Sequence, residues 1–342
     1  MPVIAESKYR APLFFSNPHA QTVFPTLFRK VRGVTYKRER VDTPDKDFLD
    51  VDISTVGSTR AAIVLHGLEG DSTRCYMLGM VKALNNNGWD AIAVNLRGCS
   101  GEPNRTLRLY HSGDTGDLDT VVSYIHSQKD YSDLALIGFS LGGNVVLKYV
   151  GERADTVKSA ITAAAAFSVP CDLAAGATKI GSFMNIPYMK RFLTMLREKI
   201  RTKMGLFPEL INDNDYDQIR DFADFDNRYT APLHGFANAE DYWKKSSSKQ
   251  FLARISIPTL LVSAADDPFL TPECYPFKEA RDNPSLFLEV PKHGGHVGFM
   301  AFDSDREGTK GIWIMRLNGT NQIRITPNGI KAMNPRWSPF LK

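Results

Sequence analysis

The sequence predicts an α/β fold, in which a mostly parallel central sheet carries helices on both faces and a helical cap is inserted late in the chain. Short apolar runs bounded by loop signals alternate with helical patterns, as expected when strands are crossed over by helices. The alternation breaks down between residue 170 and about residue 232, a stretch of helix and polar loop with no strong strand. Three residue types that act together in nucleophilic chemistry, a serine at Ser140, a carboxylate at Asp266 or Asp267 and a histidine at His296, each fall just after a predicted strand.

Taken in order, residues 34–41 and 48–56 read as two strands joined across Thr43-Pro44-Asp45-Lys46, antiparallel at a sheet edge. Three buried strands follow at 61–65, 90–95 and 133–139, with helices at 75–86 and 114–127. The small apolar run 160–169 is too short and too interrupted for a membrane span and reads as a buried strand leading into a loop. The sheet resumes at 257–264 and 286–290. In the cap, Met189, Phe192, Leu193, Leu196 and Ile200 share one helical face, while Lys190, Arg197, Lys199 and Arg201 lie elsewhere around it. A basic amphipathic helix also suits peripheral contact with a lipid surface, but surface helices of soluble proteins have the same pattern, and an ordinary core-packing helix is the reading adopted. Phe183, Met184, Ile186, Met189, Phe192 and Met195 are expected to line an apolar acyl pocket.

Composition bounds the function. At 342 residues, 43% hydrophobic and 23% charged, the chain buries a core, and one domain with an insertion accommodates its length. A net charge of +4 from 42 basic and 38 acidic residues lacks the concentrated basic field of a nucleic-acid binder, so no nucleic-acid partner is expected. The four cysteines are far apart, without metal-ligand spacing, and the start of the chain lacks a secretory pattern. The expectation is a cytoplasmic protein with no cofactor, no metal and no integral membrane segment.

Gly138-Phe139-Ser140-Leu141-Gly142 stands where a buried strand ends and a helical pattern begins. Glycines on either side allow the tight strand-to-helix turn that exposes a nucleophilic serine, so this G-x-S-x-G in this context points to a nucleophile elbow. A serine hydroxyl needs a base and an orienting group. Asp266-Asp267 and His293-Gly294-Gly295-His296 supply them in the order Ser, Asp, His that the α/β-hydrolase fold uses. Alternation along a strand buried on both faces leaves either Asp266 or Asp267 as the acid; His296 is assigned as the base. His66-Gly67-Leu68-Glu69-Gly70 follows the strand from which this fold draws one oxyanion-hole N–H, assigned to Leu68; the second is that of Leu141. Cys99 has no histidine organised around it and is not read as a nucleophile, and Arg97 is read as structural.

These motifs, with Asn95-Leu96-Arg97-Gly98-Cys99-Ser100-Gly101-Glu102-Pro103-Asn104-Arg105, Tyr110-His111-Ser112-Gly113, Asp266-Asp267-Pro268-Phe269, the histidine motif and Asn17-Pro18-His19-Ala20-Gln21-Thr22, resemble the YheT-like branch of the α/β-hydrolases over about residues 10–300. The resemblance implies a serine esterase acting on carboxylic esters, with yeast relatives handling medium-chain acyl esters and animal relatives acting on phospholipids. It also implies a triad of Ser140, Asp267 and His296 in a hydrolase domain spanning 1–300. An acyltransferase or thioesterase on the same triad, or a catalytically impaired binding protein, is the alternative. Residues 301–342 do not read as the final amphipathic helix of that family. Ser304-Asp305-Arg306-Glu307-Gly308, Ile312-Trp313-Ile314-Met315 and Asn334-Pro335-Arg336-Trp337-Ser338-Pro339 instead resemble a single blade-repeat of TolB-type β-propellers. One repeat cannot bury its own faces, so the tail is not expected to be an independent domain, and its strand-like pieces must pair with a sheet edge or stay exposed.

Overall fold

The computed structural model describes residues 3, 4, 7, 9, 11, 16–159, 161–304, 311–316, 323 and 324. Its strands are β1 (Val3–Ile4), β2 (Lys37–Asp42), β3 (Phe48–Ser54), β4 (Arg60–Leu65), β5 (Asp90–Asn95), β6 (Asp133–Phe139), β7 (Ala163–Phe167), β8 (Thr259–Val262) and β9 (Leu286–Glu289). They form a nine-stranded sheet in the order β1-β9-β8-β7-β6-β4-β5-β3-β2. Every pairing from β5 through β1 is parallel, and β3 and β2 add to the other edge antiparallel. The central strands β5, β7 and β8 are buried along their whole length, which explains why they read as continuous apolar runs. The predicted strand at 257–264 narrows to β8; at its start, Pro258 has no N–H for a ladder bond.

Charge fixes the edge register. Arg38 lies opposite Asp52 and Arg40 opposite Asp50, and each arginine grips its aspartate through two bonds of 2.8–3.0 Å. A one-residue slip would leave Asp50 and Asp52, both buried, without these partners.

The helices are α1 (Pro18–Phe28), α2 (Cys75–Asn86), α3 (Thr115–Gln128), α4 (Leu141–Glu152), α5 (Leu173–Ile180), α6 (Ile186–Leu206), α7 (Phe222–Phe225), α8 (Ala231–His234), α9 (Ala239–Ser246) and α10 (Phe277–Asp282). Two apolar clusters lie on the two faces of the sheet, one built on α3 and α4 and one on α2. A third belongs to the cap, where Met189, Leu193, Leu196 and Ile200 of α6 pack with Ile211, Tyr216, Phe225 and Tyr229. Between the expected end of the insertion near residue 232 and β8 the chain forms one more helix, α9, which Asn238 caps by accepting from the Asp241 N–H at 2.9 Å.

The cap is bolted to the core by a polar loop. Arg97, with 1% of its side chain exposed, bridges Asp117, Asp47 and Asp45 at 2.6–3.1 Å. Asn104 joins the same Asp47, and Lys203 of α6 donates to the Asn104 and Thr106 carbonyls, both at 2.6 Å. Burial pulls the Lys203 ammonium down to about 8, and burial opposes the Asp47 charge too, but Thr106, Asn104 and the Arg105 N–H hold that carboxyl well below its ordinary range.

Beyond α10 no helix follows among the described residues. Strands β10 (Phe299–Ser304), β11 (Gly311–Arg316) and β12 (Ile323–Arg324) form a separate three-stranded antiparallel sheet. The predicted strand-like piece at 312–315 therefore pairs with its own neighbours. The rest of the propeller-like resemblance, at 305–310, 317–322 and 325–342, lies outside the described residues.

Replacing Arg97 by methionine leaves Asp47 and Asp117 buried without their counter-charge. Urea unfolding should show a loss of about 3–5 kcal/mol, the range for breaking a buried ion pair from one side. Arg254→Ala, which removes an exposed pair with Asp155, should stay within about 0.5 kcal/mol of wild type.

Candidate active site

Parallel strands end together, and the loops that leave β4, β6, β7, β8 and β9 at their carboxyl ends converge on one spot. Ser140 occupies the turn between β6 and α4 with φ 52° and ψ −117°, a conformation side-chain-bearing residues rarely adopt. The turn is held by close packing. A Cβ on Gly138 would sit 2.4 Å from the Gly142 carbonyl oxygen, and one on Gly142 would sit 2.4 Å from the His66 carbonyl oxygen. Both positions therefore require glycine, as the motif anticipates.

His296 Nε2 stands 2.9 Å from Ser140 Oγ, and its Nδ1 lies 2.9 and 3.1 Å from the two carboxylate oxygens of Asp267. The Asp267 side chain is fully buried and also accepts the Phe269 N–H at 2.9 Å, which fixes its orientation. The Phe269 ring lies 4.4 Å from the imidazole, centroid to centroid. Of the two aspartates left open by the sequence, Asp267 faces His296. Asp266 turns the other way, to His293 Nδ1 at 3.0 Å and the Gly295 N–H at 3.0 Å, and so shapes the loop that carries His296.

That loop has two further supports the sequence reading did not identify. Thr22 of α1 donates to the Pro18 carbonyl at 2.7 Å and accepts the His296 N–H at 3.0 Å, and Ser168, just after β7, accepts the Val297 N–H at 2.9 Å. The motif Asn17 to Thr22 was visible as a signature, but its purpose depends on a partner 274 residues away. Ser168, with φ 52°, carries no sequence signal.

The turn after β4 lies beside Ser140. Tyr76 Oη accepts the Gly67 N–H at 3.0 Å, Tyr110 Oη accepts the Glu69 N–H at 2.8 Å, and the Gly70 N–H closes onto the Gly67 carbonyl at 3.0 Å. The Leu68 N–H falls between these bonded groups, and that of Leu141 is the first of α4, where a helix leaves its donors without internal partners. His66 is completely buried; its Nε2 accepts the Leu96 N–H at 3.1 Å and its Nδ1 faces the Gly67 carbonyl at 2.7 Å. Burial pushes it down to about 4, so it stays neutral and acts as a brace for the turn. Desolvation raises the Cys99 thiol to about 11, which keeps it in the protonated, unreactive form.

A cavity of about 620 Å³ opens onto Ser140 and His296, walled by α1, the turn after β4, and the cap. Its cap lining includes Leu173, Ile180, Phe192, Met195, Leu196 and Phe222. Only Phe192 and Met195 come from the expected acyl-pocket set. Met189 is buried in the cap's own core instead, and Phe183 and Met184, in the turn before α6, and Ile186 at its first position face solvent, Phe183 being 83% exposed. Helical spacing identifies a common face but not which neighbour covers it. Among the described residues, no group of three or more His, Cys, Asp or Glu is arranged to hold a metal ion, and no helix is long and apolar enough to cross a membrane.

A family model for the alpha/beta hydrolase fold matches residues 62–303. The chain is 34% identical over 292 residues to YheT of Escherichia coli (strain K12), covering 84% of this chain and 85% of that protein. It is 29% identical over 342 residues to phospholipase ABHD3 of Homo sapiens, covering 97% and 80%, and 32% identical over 295 residues to a monoacylglycerol lipase of Saccharomyces cerevisiae, covering 84% and 63%. The solved esterase Pf2001 of Pyrococcus furiosus shares the fold, with a TM-score of 0.52 at 19% identity over 85% of this chain and 91% of that one. With a third of its residues identical to YheT across most of both chains, on the sheet and serine turn described above, this chain belongs to the α/β-hydrolase family, in the branch that includes YheT.

Proposed function

We propose that the protein hydrolyses carboxylic esters through an acyl-enzyme, with Ser140 as nucleophile, His296 as general base and acid, and Asp267 as the group that orients the imidazole. The observation that carries this reading is the unbroken hydrogen-bonded line Asp267–His296–Ser140, with 2.9 Å at each link. Asp267 holds the proton on Nδ1, which leaves Nε2 free to take the serine proton as Oγ attacks the ester carbonyl. The charge that develops on the carbonyl oxygen is met by the N–H groups of Leu68 and Leu141, each contributing on the order of 3 kcal/mol. The imidazolium then returns its proton to the leaving alcohol, and water repeats the sequence on the acyl-serine. Relatives named as a phospholipase and a monoacylglycerol lipase support an acyl-lipid ester as substrate. The apolar cap wall supports medium-chain acyl groups over acetyl.

Ser140→Ala should abolish hydrolysis of p-nitrophenyl esters and labelling by a fluorophosphonate probe while the thermal transition is retained, because only the attacking atom is removed. More than about a thousandth of the wild-type kcat surviving would exclude covalent catalysis by this serine.

Asp267→Asn should lower kcat roughly ten-thousandfold, since an amide does not stabilise the imidazolium. Asp266→Asn should be far milder, because it loses part of a loop clamp and leaves the line to Ser140 in place. Steady-state kinetics of the two variants decide the assignment, and a greater loss for Asp266→Asn would reverse it.

Each methylene buried in the cap cavity is worth about 0.8 kcal/mol. Across a graded ester series, kcat/KM should therefore rise several-fold per added methylene from acetate toward octanoate; a profile highest at acetate would contradict an acyl pocket under the cap.

A further inference from the structure

The turn that offers the Leu68 N–H is tied to the cap by a buried charge cluster that the hydrolytic line does not use. Glu69 stands at the third position of the turn closed by the Gly70 N–H onto the Gly67 carbonyl, with φ 51°, where glycine is ordinarily favoured. Its conformation is over-determined by its neighbours. Tyr110 Oη accepts the Glu69 N–H at 2.8 Å and donates to Glu69 Oε1 at 2.6 Å. Lys199, projecting from the cap helix α6, places Nζ 3.0 Å from the same Oε1 and donates to Cys99 Sγ at 3.0 Å. Nζ also lies 4.7 Å from the centre of the Tyr110 ring. The Lys199 and Glu69 side chains are each only 8% exposed.

A buried ion pair adds little stability over well-packed apolar residues, so its value here lies in the geometry it imposes. The half-buried Cys99 thiol, pushed up to about 11 by desolvation, is neutral, so Glu69, 3.0 Å from Nζ, is the counter-charge that Lys199 meets. The cluster joins three separate pieces of chain: the turn after β4, the connection from β5 to α3 that carries both Cys99 and Tyr110, and the cap.

We propose that Lys199 is a positioning residue for ester hydrolysis: by clamping Glu69 from the cap, it holds the turn in the conformation that presents the Leu68 N–H to the transition state. This rests on the ester-hydrolase reading. The cap is then part of the apparatus that stabilises the oxyanion as well as the wall of the acyl cavity.

The test is a kinetic comparison of Lys199→Met, Glu69→Gln and the double variant with p-nitrophenyl octanoate, on protein shown to be folded by its thermal transition. A donor displaced from the transition state is felt in kcat, so Lys199→Met should lower kcat about ten- to a hundredfold with KM changed less than about twofold. Affinity for an alkyl trifluoromethyl ketone, which forms a tetrahedral adduct with the serine, should fall by the same factor. The double variant should lose about as much as the more damaging single one, because both break one clamp. If Lys199→Met does not fold, Tyr110→Phe, which removes the other restraint on Glu69, should show the same loss in kcat at constant KM. A raised KM with unchanged kcat, or losses that multiply in the double variant, would overturn the proposal and leave Lys199 a cap-packing residue. Wild-type protein that labels at Ser140 and hydrolyses octanoate while Lys199→Met keeps full kcat sinks the clamp alone; wild-type protein that does neither sinks the hydrolase reading and the clamp with it.

Discussion

The architecture of this site depends on one contact, the seating of α4 against the end of β4. Gly142 approaches the Leu65 and His66 carbonyls so closely that a single added carbon would collide with both. That approach draws the start of α4 under the turn after β4, which brings Ser140, the Leu141 N–H and the Leu68 N–H into one small volume. The serine and the two N–H groups are thus placed by backbone packing, which resists displacement. The unusual backbone angles at Ser140 are sustained by the same contact, since a strained turn persists only where its surroundings over-determine it.

Around this rigid centre the other parts are held by polar restraints from distant chain segments. The loop bearing His296 is bound on one side by Asp266, on another by Thr22 from the first helix, and on a third by Ser168 after β7. Each restraint uses a backbone N–H of the loop, so the imidazole itself is left to Asp267 and Ser140. The two neighbouring aspartates divide the labour: one shapes the loop and the other contacts the ring. Adjacent residues after a strand point in different directions, which is how a single Asp-Asp pair serves both purposes.

Buried polar bonds tie the cap to the core. Arg97 gathers three aspartates beneath it, Lys203 reaches down to two carbonyls, and Lys199 meets Glu69. Such groups are costly to bury and poor at adding stability, but they are directional and tolerate only one seating.

Periodicity and motif chemistry by themselves determined the α/β class, most strand and helix positions, and the identity of Ser140 and His296 as a facing pair. Those features are local: a buried parallel strand is a continuous apolar run, and a glycine-flanked serine at a strand end declares a tight turn. The choice between Asp266 and Asp267 was not local, since strand alternation says only that two neighbours diverge and the partner lies 29 residues away. Nor was the cavity wall, where helical spacing marked Met189 and Phe192 alike but only packing turned Met189 into the cap core and Phe192 toward the cavity. Thr22, Ser168 and the Lys199–Glu69 pair were beyond sequence reasoning altogether. Their roles exist only where long-range folding brings a hydroxyl to a backbone N–H, or a cap lysine to a turn 130 residues earlier, and no residue type announces such a partner on its own.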